Sequence, residues 1–288
     1  MKLFLNEKEN LYNLRDISNN RNYFCGGLRT KGKFKRNKKN SSLISIITVV
    51  KDDEKNISKT IKSVLDQNFK NFEYIIVDGN SSDETLKKIK KFQNKIDLWI
   101  SHKDKNLWQA LNMGIKYARG DIIGILNSKD FFYANGLKIV NNYFQKFKID
   151  FLFGAVKKKK IWYKFEPDKI KYRFNIYPSH SCGFFIKKKS QKKLGLYNTH
   201  YDFCSDYDLF YRMIVKKKMI GMPTKSYEVL GKFDPNGISS KLSFLKVYYY
   251  EIKIRYNNGQ NIFFLFFLLI IKLLNKIRNV FIDFLNLK

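Results

Sequence analysis

Three groups of acidic residues stand where a folded chain could use them chemically. Asp78 ends the apolar run Tyr74 to Val77 and is followed by Gly79 and a polar turn, with Ser82, Asp83 and Glu84 opening a helix. Asp130 closes Asn127-Ser128-Lys129-Asp130 behind a second run, Asp121 to Leu126. Asp206 and Asp208 fall in Asp206-Tyr-Asp208-Leu-Phe-Tyr-Arg212. A nucleotide carried with a divalent cation needs hard oxygen ligands, typically one or two carboxylates plus the phosphates themselves. Oxygen donors without a Cys/His cluster favour Mg²⁺ or Mn²⁺ over zinc. Any single Asp after a strand can equally be a turn or helix-cap residue, and Asp52 and Asp53, after the first strand, are open to that reading. Asp208 and Arg212 are four apart and can pair on one helix face. Asp206, at the helix start, can cap it or face a crevice.

The elements that would position these side chains alternate between strand and helix. Ile44 to Val50, Tyr74 to Val77, Leu98 to Ile100 and Asp121 to Leu126 read as buried strands. Between them, Ile57, Ile61, Val64 and Leu65, then Leu86, Ile89 and Phe92, then Leu107, Leu111, Ile115 and Ala118 mark helix faces. The alternation predicts an α/β fold with right-handed crossovers: a doubly wound, mostly parallel central sheet flanked by helices. Ligands of such sheets bind beyond the carboxyl ends of the strands, which is where Asp78 and Asp130 fall. After Asp150 the pattern changes. Phe151 to Val156 and Ile161 to Phe165 suggest a hairpin or mixed-sheet strands, Pro178 to Ile186 a further strand, Tyr207 to Val215 a helix, and Ser240 to Tyr256 a closing helix.

With 56 Lys+Arg against 25 Asp+Glu, the 288-residue chain carries a formal charge of +31. Such a charge suits a polyanionic partner, whether nucleic acid, an anionic membrane or a phosphorylated substrate. It also fits a lysine-rich composition whose cations are mostly solvated. No recognition-helix, zinc-finger or RNP-type signature accompanies it, so no specific nucleic-acid partner is expected. Cys25, Cys182 and Cys204 have no metal-type spacing and are odd in number, which points to a reducing, cytoplasmic setting rather than a disulfide framework. Met1 to Leu5 is too short for a secretory signal.

Taken together, Ser45-Ile-Ile-Thr-Val-Val50, Asp78-Gly-Asn-Ser-Ser-Asp-Glu-Thr85, Gly120-Asp-Ile-Ile-Gly-Ile-Leu-Asn-Ser-Lys-Asp130, Pro178-Ser-His180, Ser205-Asp-Tyr-Asp-Leu209 and Phe233-Asp-Pro-Asn-Gly-Ile-Ser-Ser240 resemble the family 2 glycosyltransferases. These are inverting, nucleotide-sugar-dependent enzymes of the GT-A fold. The resemblance implies donor contacts at Val49, Lys51, Asp78 and Lys129, with Asp78 in the nucleoside pocket. It implies Mn²⁺ or Mg²⁺ held at Asp130, Asp206 as catalytic base, and His180 and Asp208 on the acceptor side. Five positions depart from the family's habit. Lys129 replaces an acid of the metal motif, Lys51 an aromatic residue, Gln109 an Asp and Asp52 an Asn, while Ser205 stands where an acid is more usual. A catalytically impaired relative that binds nucleotide or a partner is therefore the competing expectation. Alternatively the Lys129 ammonium substitutes for part of the metal's charge beside the diphosphate, so that metal dependence is weak.

Three regions follow: a basic arm over residues 1–41, whose Arg29 to Lys39 stretch packs loosely or orders on contact with phosphates or membrane, a GT-A domain over 42–240, and a helical, membrane-proximal tail over 241–288. In the tail, Ile262 to Ile271 is about half the length of a membrane span. Beyond it Leu273, Ile277, Phe281 and Phe284 share one helical face and Lys272, Lys276, Asn279 and Asp283 the other. This amphipathic pattern suits the surface of an anionic bilayer, although a helix packed on the core would look similar. The expected enzyme sits on the cytoplasmic side of the membrane and transfers a sugar to a glycan or lipid-linked acceptor in surface polysaccharide synthesis.

Overall fold

The computed structural model describes residues 23–38, 41–172, 182–235 and 243–286. His180 and residues 236–240 of the last motif lie outside them. The chain begins with β1 (Phe24–Gly26) and a 3₁₀ turn, Leu28–Lys31. Next come β2 (Ile44–Val50), α1 (Ile57–Leu65), β3 (Phe72–Asp78), α2 (Thr85–Lys91), β4 (Leu98–Ser101), α3 (Leu107–Tyr117) and β5 (Ile122–Ile125). Beyond these lie β6 (Phe131–Phe132), α4 (Gly136–Lys146), β7 (Phe151–Phe153), β8 (Ala155–Lys157) and β9 (Ile161–Trp162). The last third holds β10 (Phe184–Lys187), α5 (Lys188–Leu194), α6 (Ser205–Tyr211), β11 (Gly221–Pro223), β12 (Val229–Lys232), α7 (Phe244–Asn257) and α8 (Ile262–Asn286).

The main sheet has the order β1-β4-β3-β2-β5-β10-β7-β11. Its centre, β4-β3-β2-β5, is parallel, and β1 and β10 run antiparallel to their neighbours β4 and β5. Every residue of β2 and β3 is buried. Side chains alternate between faces along a strand, so the apolar runs feed two cores. Ile47, Val49, Ile75 and Val77 meet Trp108, Leu111 and Ile115 of α3 on one side. Ile46, Tyr74 and Ile76 meet Ile57, Ile61 and Val64 of α1, with Leu137 and Val140 of α4, on the other. A second sheet, β6-β12-β8-β9, contains the expected hairpin as the antiparallel pair β8 and β9. β7 instead joins the main sheet.

The contact between α3 and β2 is close enough to test. A Cβ added at Gly114 would come 2.3 Å from Cγ2 of the buried Ile47. Gly114→Ala should therefore destabilise the fold by about 1–3 kcal/mol, seen as a lower denaturant midpoint with an unchanged slope. A midpoint equal to that of the parent would mean the helix lifts off the sheet freely.

Two expectations are corrected. The Arg29 to Lys39 stretch is not loosely packed throughout, because Arg29 is buried against Glu73 of β3, just after β1 has formed an edge of the main sheet. A basic run reads as solvated, and nothing local to Arg29 reveals a carboxylate 44 positions away. In the tail, Lys272 is only partly exposed and does not belong to a fully solvated polar face. Leu265 and Leu268 are buried, at 1% and 7% exposure, and Lys272 reaches Glu251 of α7 at 3.0 Å. This stripe docks α8 on α7 and leaves Phe263, Phe266, Phe267, Leu274, Ile277 and Phe281 exposed. Among the described residues no helix is long and apolar enough to cross a membrane.

Candidate active site

Asp78 is the last residue of β3 and residues 127–130 follow β5, so both stand on the carboxyl side of parallel strands. In the β2–β3 register Val50 lies opposite Asp78, and Gly79 N–H donates to Val50 O at 2.8 Å. Asp78 is buried at 1% exposure. Its carboxylate accepts from Ser101 Oγ at 2.6 Å, Ser81 Oγ at 2.5 Å and Ser81 N–H at 3.2 Å. An ionised carboxylate has about four acceptor sites, so these three donors leave room for a ligand group. Val49 is in the core beneath, while Lys51 is exposed and its aliphatic stem lies over Gly79.

Asp52 is left-handed, with φ of 48°, and its Oδ1 accepts from Ser82 N–H at 2.7 Å, lacing the β2 loop to the β3 loop. Asp and Asn are the residues that tolerate this backbone most readily, so the departure from Asn keeps the local geometry. Gln109 likewise has a local job. Asn106 caps α3 by accepting from Gln109 N–H, and Gln109 Oε1 accepts in return from Lys105 N–H at 2.8 Å. This is a variant of the reciprocal cap at a helix N-terminus.

Residues 127–130 follow β5 and are held from β2 and α1. Asp53 Oδ2 accepts from Ser128 Oγ at 2.7 Å, and Thr60 Oγ1 donates to the carbonyls of Ser128 and Asp130 at 2.6 and 2.9 Å. Asp130 is buried and its Oδ1 accepts from Asp234 N–H at 2.9 Å, whereas Lys129 is exposed. Asp53 and Thr60 thus act in building the site. Sequence reasoning left Asp53 open as a cap and passed over Thr60, whose position on α1 gave no signal of a partner 70 residues away. Among the described residues no group of three or more His, Cys, Asp or Glu could hold a metal ion. The donor set at Asp130 therefore fits only a cation that takes most of its ligands from substrate phosphates and water, as Mg²⁺ and Mn²⁺ do.

The segment ahead of Asp206 is held by α3. That helix starts just beyond β4, and its first turns grip residues 197–202. Asn106 Nδ2 donates to Thr199 O at 3.0 Å, Trp108 Nε1 to Asp202 O at 3.2 Å and Asn112 Nδ2 to Tyr197 O at 2.8 Å. Trp108 stacks on Tyr197 with ring centroids 5.6 Å apart. The chain then turns through Cys204, left-handed at φ of 64°, and Asp206 occupies the first turn of α6, partly exposed. Burial, then the negative charges of Asp206 and Glu251, pushes the Cys204 thiol up to about 12. A thiol so disfavoured as thiolate is no nucleophile. Asp208 is buried, with Oδ2 accepting from Arg212 Nε at 2.8 Å and Oδ1 from Asn258 Nδ2 at 2.9 Å. Both its oxygens are committed inside the fold, contrary to the acceptor-side expectation. The cause is the Asp208–Arg212 spacing on one helix face.

Sequence reasoning missed His102 and Asp104 at the end of β4. The His102 imidazole lies 3.0 Å from Asp104, and its backbone N–H donates to Asp78 O at 3.0 Å.

The description Glycosyl transferase family 2 matches this chain over residues 45–217, the span that contains every one of these strand ends. The chain belongs to that family. As a family 2 glycosyltransferase it is 36% identical over 113 residues to WfgD of Escherichia coli, described as UDP-Glc:alpha-D-GlcNAc-diphosphoundecaprenol beta-1,3-glucosyltransferase. That stretch covers 39% of this chain and 45% of WfgD. An uncharacterized glycosyltransferase of Rickettsia typhi is 28% identical over 189 residues, covering 60% of this chain and 59% of the relative. The matches thus span only about half the length of these curated relatives. Among solved structures, Staphylococcus aureus TarS in complex with UDP-GlcNAc superposes with a TM-score of 0.60 at 17% identity, covering 76% of this chain and 68% of that one. The glycosyltransferase therefore has the GT-A fold.

Proposed function

We propose that this glycosyltransferase moves a hexose from a nucleotide diphosphate to a hydroxyl of a lipid-linked glycan with inversion, in surface polysaccharide synthesis at the inner face of the membrane. The observation that supports the reading is the anchoring of residues 197–202, just ahead of Asp206, on the α3 helix that starts after β4, while Asp78 ends β3 and Asp130 follows β5. Asp206 accepts the proton of the attacking hydroxyl while the anomeric carbon is displaced in line. Asp78 receives the nucleoside, with Val49 forming the floor beneath it. Lys51 and Lys129 offer ammonium groups to the diphosphate. Asp130 would hold a divalent cation there, which when bound supplies charge stabilisation for the departing diphosphate. His180 serves on the acceptor side. WfgD's printed activity, with a UDP-sugar donor and a diphosphoundecaprenol-linked acceptor, supports the substrate class.

Turnover of UDP-glucose, UDP-N-acetylglucosamine and GDP-mannose, with and without Mn²⁺, tests this reading. Transfer or hydrolysis of one donor is expected, and binding without turnover would favour the impaired-relative reading instead. In the same assay Lys129→Asp should sharpen Mn²⁺ dependence, because it adds a second carboxylate ligand and removes a competing cation. An unchanged metal titration would remove Lys129 from the donor site.

Membrane attachment would use the undocked face of α8. Its exposed Phe and Ile side chains, on a chain of formal charge +31, suit an anionic bilayer surface and disfavour pairing with a second, equally basic copy. Phe266→Asp with Phe267→Asp should weaken binding to phosphatidylglycerol vesicles by about tenfold or more, with turnover of soluble donor unaffected. Vesicle binding equal to that of the parent would exclude this face.

A further inference from the structure

The helix that carries Asp206 is gripped by a part of the chain outside the family match. α6 has seven residues, starts from left-handed Cys204 and has no side-chain cap at its N-terminus. So short a helix has little stability of its own, and tertiary contacts set its direction. Many of them come from α7 and the turn after it, beyond the matched residues 45–217. Arg255 Nε donates to the hydroxyl of Tyr207, the residue next to Asp206, at 2.7 Å. Asn258 Nδ2 donates to Asp208 Oδ1 at 2.9 Å, and Asn257 Nδ2 to the Tyr201 hydroxyl at 2.9 Å. Tyr201, Tyr207, Tyr250 and Ile254 pack together around these bonds.

Arg255 is wholly buried, at 0% exposure. Its other nitrogens donate to Lys171 O at 2.6 Å, Gln260 Oε1 at 3.0 Å and Ile170 O at 2.7 Å. One planar cation thus joins the base helix, the 170–171 turn and the end of α7 in fixed directions. Burying a guanidinium is costly, and an apolar side chain of similar volume would fill the space without that cost. What an apolar residue cannot do is fix the bearing of the Tyr207 hydroxyl, and with it the first turn of α6.

We infer that Arg255 and Asn258 are positioning residues for Asp206, so that α7 belongs to the catalytic apparatus; this rests on the reading of Asp206 as the base. A base displaced by a fraction of an ångström loses rate without losing donor affinity. α8 is tied to α7 through Lys272 and Glu251, one turn before Arg255. The helix pair therefore buttresses the site as one unit.

The test uses the full chain and hydrolysis of whichever of UDP-glucose, UDP-N-acetylglucosamine and GDP-mannose the parent turns over fastest. Arg255→Gln and Asn258→Ala should each lower kcat tenfold or more, with the donor Kd by calorimetry within twofold. Arg255→Lys should recover part of the loss. In an Asp206→Asn background Arg255→Gln should add less than a twofold further loss. Should Arg255→Gln fail to fold, Tyr207→Phe removes the same bond while keeping the ring, and carries the same expectation. Parental kcat, a Kd weakened in step with kcat, or an undiminished effect of Arg255→Gln in the Asp206→Asn background would each overturn the inference. Full activity in Asp206→Asn, or no turnover of any donor by the parent, would instead remove the base reading and this inference with it.

Discussion

Asp206→Asn should lower turnover by about 10²–10⁴-fold while leaving donor affinity nearly intact. The amide has the shape of the carboxylate, and its oxygen can still accept from Tyr207 N–H, the 2.9 Å bond made by Asp206 Oδ1. What it cannot do is take a proton from an acceptor hydroxyl at neutral pH. The loss corresponds to about 3–5 kcal/mol of transition-state stabilisation, at 1.36 kcal/mol per decade. Asp208→Asn is the matching control. Asp208 is committed to Arg212 and Asn258, so its change should lower stability more than it changes the chemistry. Rates and calorimetric Kd values on both variants separate the two roles. Equal rates for Asp206→Asn and the parent would sink the assignment of the base.

Arg29→Ala should destabilise the fold by about 3–5 kcal/mol, the range for stripping one partner from a buried ion pair. Glu73 is fully buried in β3. Its Oε1 accepts from Ser45 Oγ at 2.5 Å and Arg119 N–H at 2.6 Å, while Arg29 pairs with Oε2 and also donates to Tyr117 O at 2.7 Å. Without Arg29 the carboxylate keeps its backbone and serine donors but loses the guanidinium paired with it. Against a typical total stability of about 5–15 kcal/mol the loss is large, and denaturant midpoints will report it.

The same pair gives a pH signature. Burial pushes the Glu73 carboxyl up, but the Arg29 charge with the Ser45 and Arg119 hydrogen bonds outweighs it, so the net value falls below the ordinary one. A depressed folded-state pKa contributes stability that is present above the unfolded carboxyl value, about 4.3. It is lost as pH falls through the lower folded value. In Arg29→Ala burial is opposed less strongly, and protonation relieves part of the damage. The stability gap between parent and variant should therefore narrow below about pH 4. A gap that is constant with pH would mean the pair contributes through packing alone.

The sequence alone determined the parts of this protein whose causes are local. Ile44–Val50 and its parallel partners form because largely apolar runs are buried on both faces, and the polar turns after them leave Asp78 at the end of β3 and Asp130 beyond β5. The spacing of Asp208 and Arg212 is enough to foresee their pairing. Tertiary structure decided whatever depends on a distant partner: Arg29 in the core against Glu73, Asp53 fastened to Ser128, Lys272 turned inward to Glu251, and Arg255 beneath the base helix. A lysine or arginine looks the same in sequence whether water or a buried carboxylate receives it. Its desolvation, and so its role, exists only once chain folding brings the other group within hydrogen-bonding reach.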